Sequence, residues 1–109
     1  MAYDEGSAER IRELLTEQEN VSERKMFGGL AFMLNGHMTI GLNNDDLMVR
    51  IGAEKHEEAL AEPHTRKMDF TGRSMRGYIF VNPEGYTEDD DLAAWIKRAS
   101  DFTLSLPPK

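Results

Sequence analysis

The chain has 109 residues, a formal net charge of −7 and no cysteine. A chain of this length is expected to form one domain, residues 1–109, with one hydrophobic core. The absence of cysteine excludes disulfides, thiolate nucleophiles and cysteine-based zinc sites, and fits a reducing compartment. The acidic balance opposes broad, non-specific binding to phosphate backbones. The first twelve residues carry five charged side chains and no continuous apolar run, so we expect neither a signal peptide nor a membrane anchor, and a cytoplasmic location.

The chain opens with a predicted helix. Apolar residues recur at helical spacing over about Asp4–Gln18, and Ser7 or Asp4 is suited to cap its first turn. Charged residues alternate with sparse apolar ones over Val21–Phe27, which is typical of a short strand at the edge of a sheet.

A β-hairpin is predicted next, with strands at Leu30–Leu34 and Met38–Leu42. The dipeptide Asn35-Gly36 between them is the strongest short-range signal for a two-residue type I′ turn. The alternating segment Leu47–Ile51 predicts a further half-buried strand, so an antiparallel meander is expected.

The second half of the chain alternates helix and strand signals. Good helix formers over Ala53–Ala61, closed by Pro63, predict a short helix. The segment 65–75 shows no clear period and is predicted to be a long loop, and the strand Tyr78–Val81 follows. A final helix is predicted up to about Leu104, from an apolar stripe behind a capping-box variant in which Thr87 pairs with Asp90.

This order of elements predicts an α+β fold in one domain. An antiparallel sheet would pack against the N-terminal and C-terminal helices, and a short helix would lie between two of its strands.

Several segments, taken in order, resemble the TfoX/Sxy N-terminal domain family. The resemblance is carried by Arg24–Phe32 with its following Asn35-Gly36 turn, by Asp46–Arg50, and by Met68-Asp69-Phe70 ahead of an aromatic strand. It spans about residues 11–102, and the Met-Phe-Gly-Gly element is its most specific part.

The resemblance implies a regulatory role more than a reaction. The family takes its name from regulators of bacterial DNA competence, whose longer members carry a second, C-terminal domain. This sequence stops at Lys109 and so resembles the stand-alone members. No catalytic residues come with the family, and the matching positions, Arg24, Lys25, Met26, Phe27, Gly28 and Gly29, are carried over only as its signature.

The two adjacent glycines have two interpretations. Gly28 and Gly29 are expected to form a bulge or to let two backbones approach closely. The alternative is an anion-binding nest, in which their N–H groups hold a phosphate or carboxylate beside Arg24 and Lys25.

A second group of candidate binding residues lies in the predicted loop 64–76. The segment is rich in basic side chains on an otherwise acidic protein, and residues 24–76 carry a net charge of +1. The simpler interpretation is a solvated loop of mixed charge. The functional interpretation is a basic patch formed by His64, Arg66, Lys67, Arg73 and Arg76.

Two binding functions follow from these groups. The first is contact with another protein, or with a second copy, through an exposed sheet edge or the loop 64–76, where Met33, Met48, Met68 and Met75 would provide adaptable contacts. The second is binding of nucleic acid by the same loop, with Phe70 or Tyr78 stacking on bases.

An enzyme is the third and least supported interpretation. His37, His56 and His64 lack the spacing of a helical metal site and are each expected to be solvated. The segment Gly72–Arg76 lacks the second glycine of a nucleophile elbow. We therefore expect no catalytic residues, no metal and no cofactor.

Overall fold

The protein is described by a computed structural model that covers residues 4–16, 18–26, 29–70 and 73–107; the side chains of residues 26, 68–70 and 73–76 lie outside the description. Within it the strands are β1 (Val21–Met26), β2 (Gly29–Leu34), β3 (His37–Asn43), β4 (Asp46–Arg50), β5 (Thr65–Phe70) and β6 (Arg73–Val81). The α-helices are α1 (Glu5–Leu14), α2 (His56–Leu60) and α3 (Asp89–Leu104), and single 3-10 turns lie at Ala53–Lys55 and Pro83–Gly85.

The strands form one antiparallel sheet in the order β1-β2-β3-β4-β6-β5. The first four strands are the predicted meander, and β6 then pairs with β4 and leaves β5 at the outer edge. Both central residues of the first hairpin have positive φ, 53° at Asn35 and 85° at Gly36, which is the geometry of the predicted type I′ turn. The α+β prediction is confirmed.

The core lies between the sheet and the helices. Leu30, Leu42, Leu47 and Val81 form one row across the strands, and apolar residues of all three helices pack on the face that this row belongs to. A smaller cluster occupies the opposite face and consists of Ala31, Met33, Met38, Met48 and Phe80. The sheet therefore has a helix-covered face and a second face with its own apolar cluster.

The helix ends differ in part from the prediction. Asp4 caps α1, since its carboxylate accepts the Ser7 N–H at 3.0 Å and the Ser7 hydroxyl at 2.6 Å. Helix α1 ends at Leu14 rather than near residue 18.

The predicted capping box at Thr87 is wrong. The N-cap of α3 is Glu88, without a side-chain hydrogen bond, and the Thr87 hydroxyl donates instead to the Pro83 carbonyl. The predicted helix Ala53–Ala61 is a 3-10 turn followed by the five residues of α2.

The largest correction concerns residues 65–75. Residues 65–70 form β5, and β6 begins at Arg73 rather than at Tyr78. The segment has no apolar alternation because β5 is an edge strand, and its pairing with β6 shifts register between Lys67 and Asp69. The predicted basic loop 64–76 is therefore mainly a strand pair.

In the described part of the chain, no helix is long and apolar enough to cross a membrane.

Candidate binding edges of the sheet

Four of the basic residues predicted to bind a partner lie on two opposite edges of the sheet. Arg24 and Lys25 are on β1, whereas Arg66 and Lys67 are on β5. Five strand spacings separate these edges, or roughly 24 Å. His64 precedes β5 in a left-handed conformation, with φ of 67°. The structure thus does not bring the two predicted groups together into one patch.

The backbone of β1 has an open side. The Asn35 N–H donates to the Asn20 carbonyl at 3.2 Å, at the position that continues the β1–β2 register. In an antiparallel pair, hydrogen-bonded and non-hydrogen-bonded positions alternate. The N–H and C=O groups of Val21, Glu23 and Lys25 therefore point away from β2, and no hydrogen bond joins them to a described residue.

The side chains of β1 divide between the two faces of the sheet. Arg24 pairs with Ala31 and so lies on the face of the smaller cluster, whereas Lys25 pairs with Leu30 and lies on the helix face. Both side chains are exposed, and neither forms an ion pair with a described residue.

The one carboxylate on β1 is already paired. The guanidinium of Arg12 donates to both oxygens of Glu23, with Nε–Oε2 and Nη2–Oε1 distances of 2.7 Å. This hydrogen bonding lowers the pKa of Glu23. Edge β1 therefore carries two cations that have no described carboxylate partner and one neutralised carboxylate.

Edge β5 is built differently. The guanidinium of Arg66 is hydrogen-bonded to Asp46 and Asn82, and it lies 4.8 Å from the centroid of the Phe80 ring. The Thr65 hydroxyl lies 2.8 Å from the Glu62 carbonyl and holds β5 to the segment after α2. Since Arg66 is engaged and the register shifts further along, β5 offers a partner a short and irregular edge.

The remaining predicted binding residues are only partly described. Gly29 opens β2, and a Cβ added there would lie 1.9 Å from the Leu42 carbonyl oxygen, so close packing of backbones explains this glycine. Gly28 lies outside the described residues, and the anion nest stays a prediction. The backbones of Arg73 and Arg76 belong to β6, and their side chains lie outside the description.

Two of the three histidines are structural, which corrects the prediction that they are solvated. Buried His56 accepts the Gly77 N–H at Nδ1, at 2.9 Å. Buried His37 bonds the Pro107 carbonyl through Nε2 at 2.7 Å. Only His64 is exposed as expected. The described residues contain no group of three or more histidine, aspartate or glutamate side chains placed to hold a metal ion.

Two of the four methionines proposed as contacts are also buried. Met48 is fully buried and Met33 is 8% exposed, both in the smaller cluster. They stabilise the sheet and offer no contact surface. The side chains of Met68 and Met75 lie outside the description.

A cavity of about 470 Å³ lies between the segment after β4 and the last turns of α3. Its lining includes Ile51, Gly52, Lys55 and Phe102. The sequence contains no motif for this cavity, because its walls come from segments about 50 residues apart. No predicted binding residue whose side chain is described lines it.

The comparisons with known proteins agree with the resemblance in the sequence. The model of the TfoX N-terminal domain matches residues 13–103, a range that runs from α1 to the last turn of α3 and includes all six strands. A search of curated proteins found no match. The chain therefore belongs to the TfoX N-terminal domain family.

Proposed function

We propose that this chain is a non-enzymatic regulatory domain that binds another protein by accepting one of its strands beside β1. Family membership supports a regulatory, competence-related role in general terms. The observation that carries the specific proposal is the open side of β1, where three consecutive outward positions offer N–H and C=O groups to a partner. Strand addition of this kind uses main-chain hydrogen bonds for affinity and side-chain contacts for specificity.

The comparison of the two edges favours β1 over β5. Strand β1 pairs with β2 over six consecutive positions without a shift in register, whereas a shift interrupts β5. Irregular pairing is one way in which proteins protect an edge strand from unwanted partners. Edge β1 has no such interruption in its pairing.

Proline substitution at an outward position tests the proposal. Lys25→Pro removes an N–H that points away from β2, so it blocks an incoming strand and leaves the β1–β2 hydrogen bonds in place. Lys67→Pro is the matched control. The β5–β6 register directs the Lys67 N–H away from β6, and this substitution also removes one positive charge.

Each variant would be immobilised and exposed to a lysate of the source organism, and the retained proteins would be quantified by mass spectrometry. We expect proteins retained by the wild type to be lost with Lys25→Pro and kept with Lys67→Pro, with both variants folded by circular dichroism. Equal retention by Lys25→Pro and the wild type, or loss with Lys67→Pro alone, would overturn the β1 proposal.

Binding of nucleic acid is the second candidate function. It is favoured by Arg24, Lys25 and Lys67, which are exposed and have no ion-pair partner among the described residues. Their separation onto opposite edges and the net charge of −7 weigh against it. This function predicts that a labelled oligonucleotide binds at low ionic strength and that its affinity falls steeply as the salt concentration is raised. No change in fluorescence anisotropy at low salt would rule it out.

A further inference from the structure

Building on the proposed function, we infer that the strand accepted beside β1 is acidic and carries carboxylates at two adjacent positions. Two features of the domain favour such a partner: the open backbone of β1 and the distribution of charge over the described residues.

The cations of the two long helices are already neutralised inside the domain. Ion pairs join Arg10 to Asp89 at 3.1 Å, Arg12 to Glu23 at 2.7 Å, Lys97 to Asp101 at 2.9 Å and Arg98 to Glu62 at 2.8 Å. These four are all the basic residues that α1 and α3 contain. Helices α1 and α3 therefore offer a partner no unpaired cation.

Edge β1 has the opposite character. Arg24 and Lys25 are exposed and have no carboxylate partner among the described residues, and the Glu23 carboxylate on the same strand is paired with Arg12 of α1. A strand that docks here meets two positive charges of β1, whose one carboxylate is already paired. Opposite charges placed directly across two strands stabilise the pair, and like charges destabilise it.

The geometry of β1 fixes the spacing of the carboxylates. Arg24 and Lys25 are consecutive, so their side chains lie on opposite faces of the sheet. The positions directly across from them on an added strand are also consecutive, and each of those side chains lies on the same face as its cation. The partner therefore needs one carboxylate for each face, at adjacent positions.

A second copy of this chain fits the edge less well. Its own β1 would bring a second Arg24 and a second Lys25 to the same junction, where they would add to the positive charge. Self-association through β1 is thus the competing outcome, and light scattering of the wild type over a range of concentrations measures it.

The experiment is a selection from a library of random twelve-residue linear peptides on the folded domain. We expect the wild type to enrich peptides with two adjacent Asp or Glu residues, and we expect Lys25→Pro to lose them. Replacing the pair in a selected peptide by Asn and Gln should weaken binding roughly tenfold, as two cross-strand charge pairs together would predict.

Charge variants show whether the recognition is local. Arg24→Glu with Lys25→Glu should enrich adjacent basic residues instead, and Arg24→Gln with Lys25→Gln should lose the acidic preference without adding negative charge to the strand. The matched control is Lys55→Glu with Lys67→Glu, which changes the net charge equally at two exposed positions away from β1 and should keep the preference of the wild type.

The outcomes separate this inference from the proposed function. Selected peptides that Lys25→Pro loses but that lack the adjacent carboxylates would overturn the inference and leave strand addition standing. Acidic peptides that Lys25→Pro retains, or a preference that the matched control also loses, would show that net charge and not β1 attracts them. Self-association through β1 with no selected peptide would overturn both proposals.

Discussion

At the scale of single residues, the glycine at the start of β2 shows why a family signature need not be a binding motif. A methyl group at Gly29 would collide with the backbone of β3, and the nearest contact is a carbonyl that belongs to the sheet. The far end of a flexible side chain can move aside at little cost in free energy, whereas a hydrogen-bonded backbone cannot.

The first prediction follows from that contact. Gly29→Ala should lower the free energy of unfolding by about 1–3 kcal/mol, the usual cost of forcing an extra carbon into a packed site. Gly6→Ala in the first turn of α1 is the control: the added Cβ would lie 3.7 Å from the nearest atom, Oδ2 of Asp4, which is ordinary contact, and alanine is the better helix former, so stability should not fall. Urea denaturation measures both, and an unchanged stability of Gly29→Ala would contradict the packing explanation.

At the scale of elements, β5 is held in place by its pairing with β6 and by a side chain at its first residue. Among the described strands it pairs with β6 alone, and the hydroxyl of Thr65 also lies within hydrogen-bonding distance of the Ala59 and Glu62 carbonyls around the end of α2. The short helix and the edge strand therefore depend on each other.

Thr65→Val tests this dependence. It keeps the branched shape and removes the hydroxyl, so the unfolding free energy should fall by about 0.5–1.5 kcal/mol, and hydrogen exchange should speed up in α2 and β5 while β1 stays unchanged. Thr65→Ser keeps the hydroxyl and should restore most of the protection. Faster exchange over the whole sheet would show that β5 is not a local unit.

At the scale of the whole molecule, two carboxylates link stability to pH. The Ser7 hydroxyl and N–H lower the pKa of Asp4, and Arg12 lowers the pKa of Glu23. Because both pKa values are lower in the folded chain, the unfolded chain takes up protons first as the solution is acidified. Their stabilisation is complete above the unfolded pKa values, near pH 4 to 4.5, and is lost as pH falls through the folded values.

Asp4→Ala with Glu23→Gln should lower the unfolding free energy at pH 7 by about 1–2 kcal/mol, from the loss of a helix cap and a surface ion pair. The variant and the wild type should converge as the pH falls below the unfolded pKa values of Asp4 and Glu23 and then through their lower folded values, which urea titrations at several pH values would show. Glu57→Gln changes an exposed carboxylate with no described ion pair and should leave the profile unaltered. A constant gap between the curves would contradict the linkage.

Local patterns in the sequence were sufficient to predict most of the helices and strands. The helical stripes of α1 and α3, the Asn35-Gly36 turn and the alternation of Leu47–Ile51 are signals within a few residues of each other, so they predict their elements and the α+β class. The resemblance to the family also came from local segments: Arg24–Phe32 with the Asn35-Gly36 turn, Asp46–Arg50 and Met68-Asp69-Phe70.

What only the tertiary structure decided is which segments pair and which side chains they bury. Residues 65–70 form a strand without an apolar alternation because β6 supplies their hydrogen bonds, and His56 is buried because the Gly77 N–H, 21 residues away, donates to its Nδ1. The sequence identifies Arg24, Lys25, Arg66 and Lys67 as basic, but it cannot show that they lie on opposite edges, or that Arg66 is engaged whereas Arg24 and Lys25 have no described ion-pair partner. The reason is physical: charge and periodicity are properties of the local chain, whereas an open edge exists only once every other strand has found its neighbour.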